Sequence, residues 1–329
     1  MTTYDATVAK RLTETYAAAS IDAGRELADL RLIVLSDLHK GERDGADDFH
    51  ACEPAYLAAL DHYWREGFEL FLLGDVEELW ESRPASVVRE YSGVLKRELP
   101  FAQATNPIRY TRFVGNHDDL WYSQGQVRDY LGSYLAGQPV IESLRMAVYQ
   151  QGQELGELFF LHGHQGTPDS DHFARLSAWA VRHLWRPFQR LFNVRSNTPS
   201  TNYELRARHE LAMYHFAASR PRLVLFAGHT HHPVWEGLSF EQAMQEMGVR
   251  GLEVQVDAAW AQEQVAGAVS LPGRKPSYFN SGCCAYSDGS ITGIELSGGE
   301  LRLVRWAGTP PARAQVFSAS LADVLAAVA

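Results

Sequence analysis

The amino-acid sequence predicts an α/β protein, and two observations support that fold class. In the first half of the chain, short β-branched and apolar runs alternate with helical segments. Strands that alternate with helices in this way imply parallel β-α-β units. In the second half, apolar runs follow one another across Gly-containing turns, a pattern typical of antiparallel hairpins.

The first half of the chain supplies the parallel units. A helical preamble over residues 1–30 precedes a predicted buried strand at 31–36, whose sequence RLIVLS is rich in apolar and β-branched residues. The next predicted elements are a helix at 54–65, a strand at 69–73, a helix at 85–97 and a strand at 108–114. Pro54 stands at the start of the first of these helices, where proline is favoured.

The second half supplies the hairpins and two insertions. Residues 146–150 and 158–161 flank a Gly-containing turn and predict an antiparallel pair. The remaining predictions are a mostly helical cap insertion at 165–222, a strand at 223–227, an irregular insertion at 235–276, strands at 278–280, 291–296 and 301–306, and a C-terminal helix. No repeat and no Pro/Ser-rich linker interrupts the chain, so we expect a single domain over residues 1–329.

Composition excludes several classes of protein. The formal net charge of -10 argues against broad binding to nucleic acid or to an anionic membrane. No stretch approaches the roughly 18 apolar residues of a membrane helix, and the N-terminus lacks an apolar signal core. The cysteines Cys52, Cys283 and Cys284 form no CxxC metal motif. These observations predict a soluble, cytoplasmic protein.

Polar motifs follow three predicted strands of the first half. The first is Asp37-Leu38-His39, in which side chains two apart lie on the same side of an extended chain. The second is Gly74-Asp75, and the third is Gly115-Asn116-His117-Asp118. Open α/β sheets bind their ligands just beyond the carboxyl ends of the strands, which is where these residues stand. We therefore expect a metal site there.

Two later predicted strands end in histidine motifs, His162-Gly163-His164 and Gly228-His229-Thr230-His231. The seven ligand candidates are Asp37, His39, Asp75, Asn116, His162, His229 and His231. Asp, Asn and His together suit Mn²⁺, Fe or Zn²⁺, with Mn²⁺ the first choice, whereas an all-oxygen set would indicate Mg²⁺ or Ca²⁺. Seven candidates exceed the needs of one ion and predict two divalent metal ions about 3.5–4 Å apart.

Together these five blocks resemble those of the calcineurin-like metallophosphoesterase superfamily, over about residues 31–306. The resemblance implies a two-sheet β-sandwich flanked by helices, here with a helical cap insertion. It also implies one metal bound by Asp37, His39, Asp75 and His231, and another bound by Asp75, Asn116, His162 and His229. In this interpretation Asp75 bridges the metals. Catalytic His117 protonates the leaving oxygen or stabilises the phosphoryl charge, and Asp118 holds His117 in place.

The chain departs from the superfamily pattern at one motif and leaves one ligand open. Many relatives have Gly-Asp-x-x-Asp where this chain has Gly74-Asp75-Val76-Glu77-Glu78, a change we expect to be harmless to the metals. His162 and His164 compete for one ligand position. We prefer His162 because it directly follows the strand, which leaves His164 beside a ligand or facing the substrate.

The layout is nearest to that of the UDP-2,3-diacylglucosamine pyrophosphohydrolases, which also carry a helical insertion before the last motif. Those enzymes commonly have Arg where this chain has His117, and they are shorter. In the insertion, Arg182 and Arg186 belong to a stripe of arginines at helical spacing. This stripe is either a solvated face paired with carboxylates or part of a lid that binds an anionic substrate.

The resemblance predicts a hydrolase acting on a phosphomonoester, phosphodiester or pyrophosphate bond through a metal-bridging hydroxide. The expected partner is a small phosphorylated molecule, with an apolar or nucleoside portion if the lid hypothesis holds. Nucleic acid and stable membrane insertion are not expected. The competing interpretations are a non-catalytic scaffold with the same fold and a nuclease with the same metal chemistry, which the acidic charge disfavours.

Overall fold

The computed structural model describes residues 3–105, 107–167, 203–239 and 275–329. Its α-helices in this part of the chain are α1 Thr3–Ala18, α2 Glu53–Arg65, α3 Pro84–Glu90, α4 Ser92–Gln103, α5 Gln124–Leu135, α6 Tyr203–Ala218 and α7 Leu321–Ala327. Its strands are β1 Ser20–Glu26, β2 Arg31–Leu35, β3 Glu69–Leu72, β4 Tyr110–Phe113, β5 Val140–Ile141, β6 Ser143–Gln150, β7 Gln153–Leu161, β8 Leu223–Ala227, β9 Pro233–Trp235, β10 Leu238–Ser239, β11 Tyr278–Ser281, β12 Ile291–Ser297, β13 Glu300–Ala307 and β14 Ala312–Ser320.

The strands form two sheets of seven strands each. The first sheet has the order β14-β13-β12-β2-β3-β4-β5. Within it, β2 to β5 are parallel to one another, and β12 to β14 form an antiparallel ribbon joined to β2. The second sheet has the order β1-β6-β7-β8-β11-β9-β10 and is also mixed, with β7, β8 and β11 parallel. Parallel strands in both sheets bring their carboxyl ends to a common edge.

The two sheets pack face to face, and helices cover their outer faces. On β2, Leu32 and Val34 belong to the apolar cluster between the sheets, together with Phe160 and Phe226 of the second sheet. Ile33 and Leu35, which alternate with them along β2, point the other way, into the cluster under α2, α4 and α5. A third cluster lies under α1 and α6. The predicted α/β sandwich flanked by helices is therefore confirmed.

Most predicted elements are confirmed. The corrections concern strands at the sheet edges, one helix that is interrupted and one helix that was not predicted. The preamble is helical only to Ala18. Ser20–Glu26 is an edge strand instead, because its backbone pairs with β6, a long-range contact that its polar sequence does not reveal. The helix predicted at 85–97 is two helices that meet at Tyr91, whose buried hydroxyl donates to Asp47. Strand β14 and helix α5 were not predicted, and β14 is an exposed outer strand with little apolar alternation.

The two predicted insertions are described only in part. α6 confirms the helical character of the end of the cap, while residues 168–202, including Arg182 and Arg186, lie outside the described residues. The second insertion, predicted at 235–276, begins at the last residue of β9 and contains β10, and residues 240–274 lie outside the described residues. In the described part of the chain, no helix has the length and apolar character needed to cross a membrane.

Candidate metal centre

All five sequence motifs meet at the common edge of the two sheets. Backbone hydrogen bonds connect the loops in which they lie. Asp37 N–H donates to Gly74 O at 3.2 Å, and His39 N–H donates to Asp75 O at 2.9 Å. In the second sheet, Gly228 N–H donates to His162 O at 2.8 Å. The ligand candidates are therefore positioned by the sheet edge itself.

One group of side chains, the Asp37 cluster, consists of Asp37, His39 and His231. Their candidate ligand atoms lie within 4.8 Å of one another. The His231 Nε2 atom is 3.2 Å from Asp37 Oδ1 and 3.0 Å from His39 Nε2. Two imidazole nitrogens and a carboxylate oxygen at such distances are a suitable donor set for a transition-metal ion.

A second group, the Asp75 cluster, consists of Asp75, His162 and His229, whose candidate ligand atoms also lie within 4.8 Å of one another. The His162 Nε2 atom is 3.1 Å from Asp75 Oδ2 and 3.2 Å from Asn116 Oδ1. Asp75 also contacts the first group, because its Oδ2 is 3.8 Å from His39 Nε2. One carboxylate thus faces both clusters.

Two side chains show that the donor atoms fit a cation. His162 Nδ1 donates to the Leu73 carbonyl at 2.6 Å, which leaves the lone pair of its Nε2 toward Asp75. His229 Nε2 is buried and has no hydrogen-bond partner in the part of the chain that the structure describes, although a buried polar atom normally has one. A divalent ion would satisfy both nitrogens. The Asp, Asn and His residues present therefore fit the divalent metals of the superfamily.

The ligand loops have an unusual backbone conformation. Five ligand candidates have positive φ angles, namely Asp37 (53°), His39 (52°), Asp75 (49°), His229 (69°) and His231 (59°). Such angles are uncommon for residues other than glycine and are kept where the surrounding structure demands them. A Cβ atom on Gly115 would collide with the Asp75 carboxylate, and one on Gly228 would collide with the Asp37 carboxylate. Those two glycines permit the close approach of the loops.

His117 is positioned by a carboxylate that the sequence reasoning did not single out. The Glu78 Oε2 atom accepts from His117 Nδ1 at 2.6 Å and lies 3.0 Å from His39 Nδ1. Glu78 stands three residues after Asp75, where relatives have Asp, and that spacing was the available signal. Burial lowers the pKa of His117, but Glu78 and Asp75 outweigh burial and raise it to about 10. Cations bound at Asp75 would reduce this effect.

The predicted role of Asp118 in holding His117 requires correction. The Asp118 carboxylate accepts from Gly115 N–H at 2.6 Å and from Val76 N–H at 2.9 Å. It therefore fixes the loops that carry the ligands, because a buried carboxylate takes the donors nearest to it. Trp80 is a second residue that sequence reasoning missed. Its ring stacks on the His117 ring at a centroid distance of 4.1 Å.

A buried ion network lies behind the loops of the first sheet. Lys40 Nζ is 3.3 Å from both Glu77 Oε1 and Glu98 Oε1, and Arg112 forms an ion pair with Glu77. Trp121 Nε1 also donates to Glu77, at 2.9 Å. Burial raises the pKa of Glu77, but the charges of Arg112 and Lys40 outweigh burial and lower it. The Glu77 carboxylate is thus held ionised away from solvent.

Two histidines beside the second-sheet ligands are held neutral. Burial lowers the pKa of His164 to about 3, and its Nδ1 has no hydrogen-bond partner among the described residues. His209 of α6 donates from Nε2 to the Gly163 carbonyl at 2.6 Å, and burial lowers its pKa to about 4. The rings of His162 and His164 are 5.3 Å apart between centroids. His164 therefore lies beside the Asp75 cluster but in none of the ligand groups formed by the described residues.

Two packed sheets with clustered Asp and His donors at a shared edge define a metal-binding α/β sandwich. The chain belongs to the calcineurin-like phosphoesterase family, whose sequence profile matches residues 30–233. Members of this family use divalent metals to act on phosphorylated substrates. No curated protein matches the sequence significantly, so the resemblance to UDP-2,3-diacylglucosamine pyrophosphohydrolases has no support from these comparisons.

Solved structures with low similarity include two Vps29 proteins. Vacuolar protein sorting 29 from Cryptosporidium parvum is 13% identical, covers 88% of this chain and 98% of that chain, and has a TM-score of 0.35. A single mutant of Vps29 from Entamoeba histolytica is 13% identical, covers 87% and 98%, and has a TM-score of 0.26. Similarity at this level carries no argument about function.

Proposed function

We propose that this chain is a metal-dependent phosphoesterase that hydrolyses a phosphorus ester or pyrophosphate bond. It uses two divalent metal ions, and Mn²⁺ is the preferred metal in this proposal. The position of Asp75 carries the proposal. Its Oδ2 lies 3.1 Å from His162 Nε2 in one cluster and 3.8 Å from His39 Nε2 in the other. A carboxylate between two sets of nitrogen ligands is the expected position of a bridging ligand.

The ligand sets are those that the family resemblance implies, and the two clusters support them. Asp37, His39, Asp75 and His231 would hold one ion, and Asp75, Asn116, His162 and His229 would hold the other. Divalent cations there would offset the negative charge of a phosphoryl group and acidify water. Burial raises the pKa of Asp75, but His162 and His117 outweigh it and hold the pKa well below its usual value. The Asp75 carboxylate is thus available as an anionic ligand at neutral pH.

His117 supplies the proton for the leaving oxygen in this proposal. Its Nδ1 is bonded to Glu78, so Nε2 is the nitrogen that remains for the substrate. Trp80 covers one face of the ring and restricts its rotation. Glu78 and Trp80 therefore act as positioning residues, which hold the donor nitrogen of His117 beside the two ligand clusters. Asp118 contributes by holding the Gly115 and Val76 amides.

The substrate in this proposal is a small phosphorylated molecule. The net charge of -10 disfavours a long polyanion such as nucleic acid. His164, buried beside the Asp75 cluster with a free Nδ1, is a candidate for contacting that substrate. The lid role of Arg182 and Arg186, and the UDP-2,3-diacylglucosamine pyrophosphate as a substrate, stay predictions from the sequence alone.

The decisive experiment measures metal content and turnover on the same preparations. We expect about two transition-metal ions per chain by elemental analysis. In the presence of Mn²⁺ we also expect turnover of at least one member of a panel with an aryl phosphate, a cyclic nucleotide, a DNA and a UDP-sugar pyrophosphate. Asp75→Asn should lose both metal and turnover. Asp61→Asn, a surface carboxylate paired with Arg97, is the matched control and should retain both.

The alternative outcomes are distinct. A single tightly bound ion that survives Asp75→Asn would overturn the two-metal assignment. Two bound ions without turnover of any panel member would contradict the hydrolase proposal and support the non-catalytic scaffold.

A further inference from the structure

A cavity between α1 and α6 lies outside the metal centre. Its volume is about 650 Å³, within the range of pockets that hold small organic ligands. Ala9 and Thr13 of α1 form one wall, and Leu211, Ala212 and Phe216 of α6 form the other. None of the residues that line it is a ligand candidate or contacts His117. The cavity is therefore a separate feature of the molecule.

The cavity ends at an arginine without a carboxylate partner among the described residues. Arg220 Nη1 donates to Phe216 O at 3.0 Å and to Ser219 Oγ at 3.3 Å, and Nη2 donates to Thr13 Oγ1 at 3.2 Å. A guanidinium group has five N–H donors, so two remain. Burial lowers the pKa of Arg220, and no carboxylate offsets that effect.

Two partly buried arginines in the described structure differ from Arg220, whereas Arg109, which donates to backbone carbonyls and lies over the Trp64 ring, resembles it. Arg145 pairs with Glu157 at 2.8 Å, and Arg313 pairs with Glu295 at 2.5 Å. Such an anionic partner offsets the cost of removing the charge of a guanidinium group from water. The Arg220 guanidinium instead lies on the Phe216 ring, 3.7 Å from its centroid. Stacking leaves the edge of the planar group free for an anion.

The lining of the cavity is apolar in the middle and basic at both ends. Apolar Leu211, Ala212 and Phe216 lie between Arg208 and Arg220 at its two ends. Because helical residues rise 1.5 Å each, the ten positions from Arg208 to Ala218, the last residue of α6, span roughly 15 Å, and Arg220 follows two residues later. A ligand that fits this arrangement has an anionic group for Arg220 and an elongated apolar part for the cavity walls.

We propose that the α1–α6 cavity binds a free amphiphilic anion, a carboxylate or phosphate monoester with one alkyl chain, whose head group bonds to Arg220. A membrane surface is a poorer fit, because the protein is acidic and anionic bilayers repel it. This site requires no metal, so the proposal can be tested independently of the proposed hydrolysis.

Calorimetric titration of the full chain tests the proposal, with dodecyl phosphate below its micelle concentration as the probe. Dodecyl phosphate and dodecanoate should both bind, each at least tenfold more tightly than dodecanol or inorganic phosphate. Arg220→Met should weaken dodecyl phosphate roughly 10–100-fold, as expected for charge-assisted hydrogen bonds, and leave dodecanol unchanged. Arg89→Met, at an exposed arginine of α3, is the matched control and should bind as the wild type does.

A second variant tests the apolar part of the cavity. Ala9→Phe places a ring from α1 into the space and should weaken both alkyl ligands while leaving the charge of Arg220 in place. Melting curves accompany each variant, and Ala9→Phe remains informative if Arg220→Met fails to fold. The proposal is wrong if dodecanol or inorganic phosphate binds as tightly as dodecyl phosphate. It is also wrong if a folded Arg220→Met protein binds like the wild type, or if binding occurs only to phosphatidylglycerol vesicles.

Discussion

The two sheets contribute to the metal centre with different chemistry. The first sheet supplies the carboxylates of Asp37 and Asp75, and the ion network of Lys40, Glu77 and Arg112 lies behind them. The second sheet supplies imidazoles only, and some of the groups that support its loops are uncharged. Asn280, for example, donates to the Gly228 carbonyl at 2.6 Å.

This difference predicts which substitutions behind the metal centre reduce the stability of the fold. Buried ion pairs contribute little net stability when intact, but removing one partner leaves an uncompensated charge and is costly. A neutral hydrogen bond costs much less to lose. Changes behind the first sheet should therefore damage the fold and the site together, while equivalent changes behind the second sheet should be mild.

Among variants that retain the metal ions, the largest effect on turnover is expected at His117. His117→Ala should lower kcat by about 10²–10⁴-fold, the usual worth of a positioned general acid, and should retain the metal ions. His164→Ala, its counterpart beside the second sheet, should raise KM with little change in kcat, because we assign it to substrate contact. Steady-state kinetics with metal analysis makes the comparison. Loss of metal from His117→Ala would identify His117 as a ligand. That outcome is geometrically possible, because His117 forms a third donor group with His39 and Asp75.

The largest effect on stability is expected at Glu77. Glu77→Gln keeps the shape of the side chain but leaves Lys40 and Arg112 without one carboxylate in a fully buried site. We expect a loss of about 3–5 kcal/mol in the free energy of unfolding, measured by denaturant titration. Glu14→Gln, at the surface of α1, is the control and should change stability by less than about 0.5 kcal/mol. If Glu77→Gln lowers the free energy of unfolding by no more than the control does, the two sheets do not differ in the support that buried charges give them.

The five ligand motifs could be predicted from sequence because each one directly follows a strand. The hydrophobic runs locate the strands, and the parallel arrangement brings their ends to one edge. The spacing of Glu78 from Asp75 was a usable signal, but the Lys40–Glu77–Arg112 network could not be predicted from local patterns, since its pairing is fixed by tertiary packing. No sequence pattern marks Lys40 and Arg112 as partners, yet both are fully buried. Strand β1 was missed for a similar reason, because its pairing with β6 is long-range.

A smaller effect is expected at Glu78, which connects His39 and His117. Glu78→Gln removes the charge that holds both imidazoles, and a carboxylate behind a metal-binding histidine typically contributes 10–100-fold to metal affinity. We expect that loss for one of the two ions only, the ion bound by the Asp37 cluster. Metal titration of the wild type and the variant distinguishes two binding steps. Equal weakening of both ions would show that Glu78 acts on the whole centre and not on one cluster.

The smallest effect is expected at His209, the neutral counterpart of Glu77 behind the second sheet. Its Nε2 donates to Gly163 O at 2.6 Å, and burial lowers its pKa to about 4, so the side chain is uncharged at neutral pH. His209→Gln can still donate to that carbonyl and should cost about 1 kcal/mol or less, whereas His209→Leu leaves the carbonyl unpaired and should cost about 1–3 kcal/mol. Both variants should bind two metal ions. Denaturant titration alongside Glu77→Gln tests the ranking directly, because Glu77→Gln and His209→Gln introduce the same residue and differ in whether a buried charge is removed. A His209→Gln variant as unstable as Glu77→Gln would contradict the assignment of the charged support to the first sheet alone.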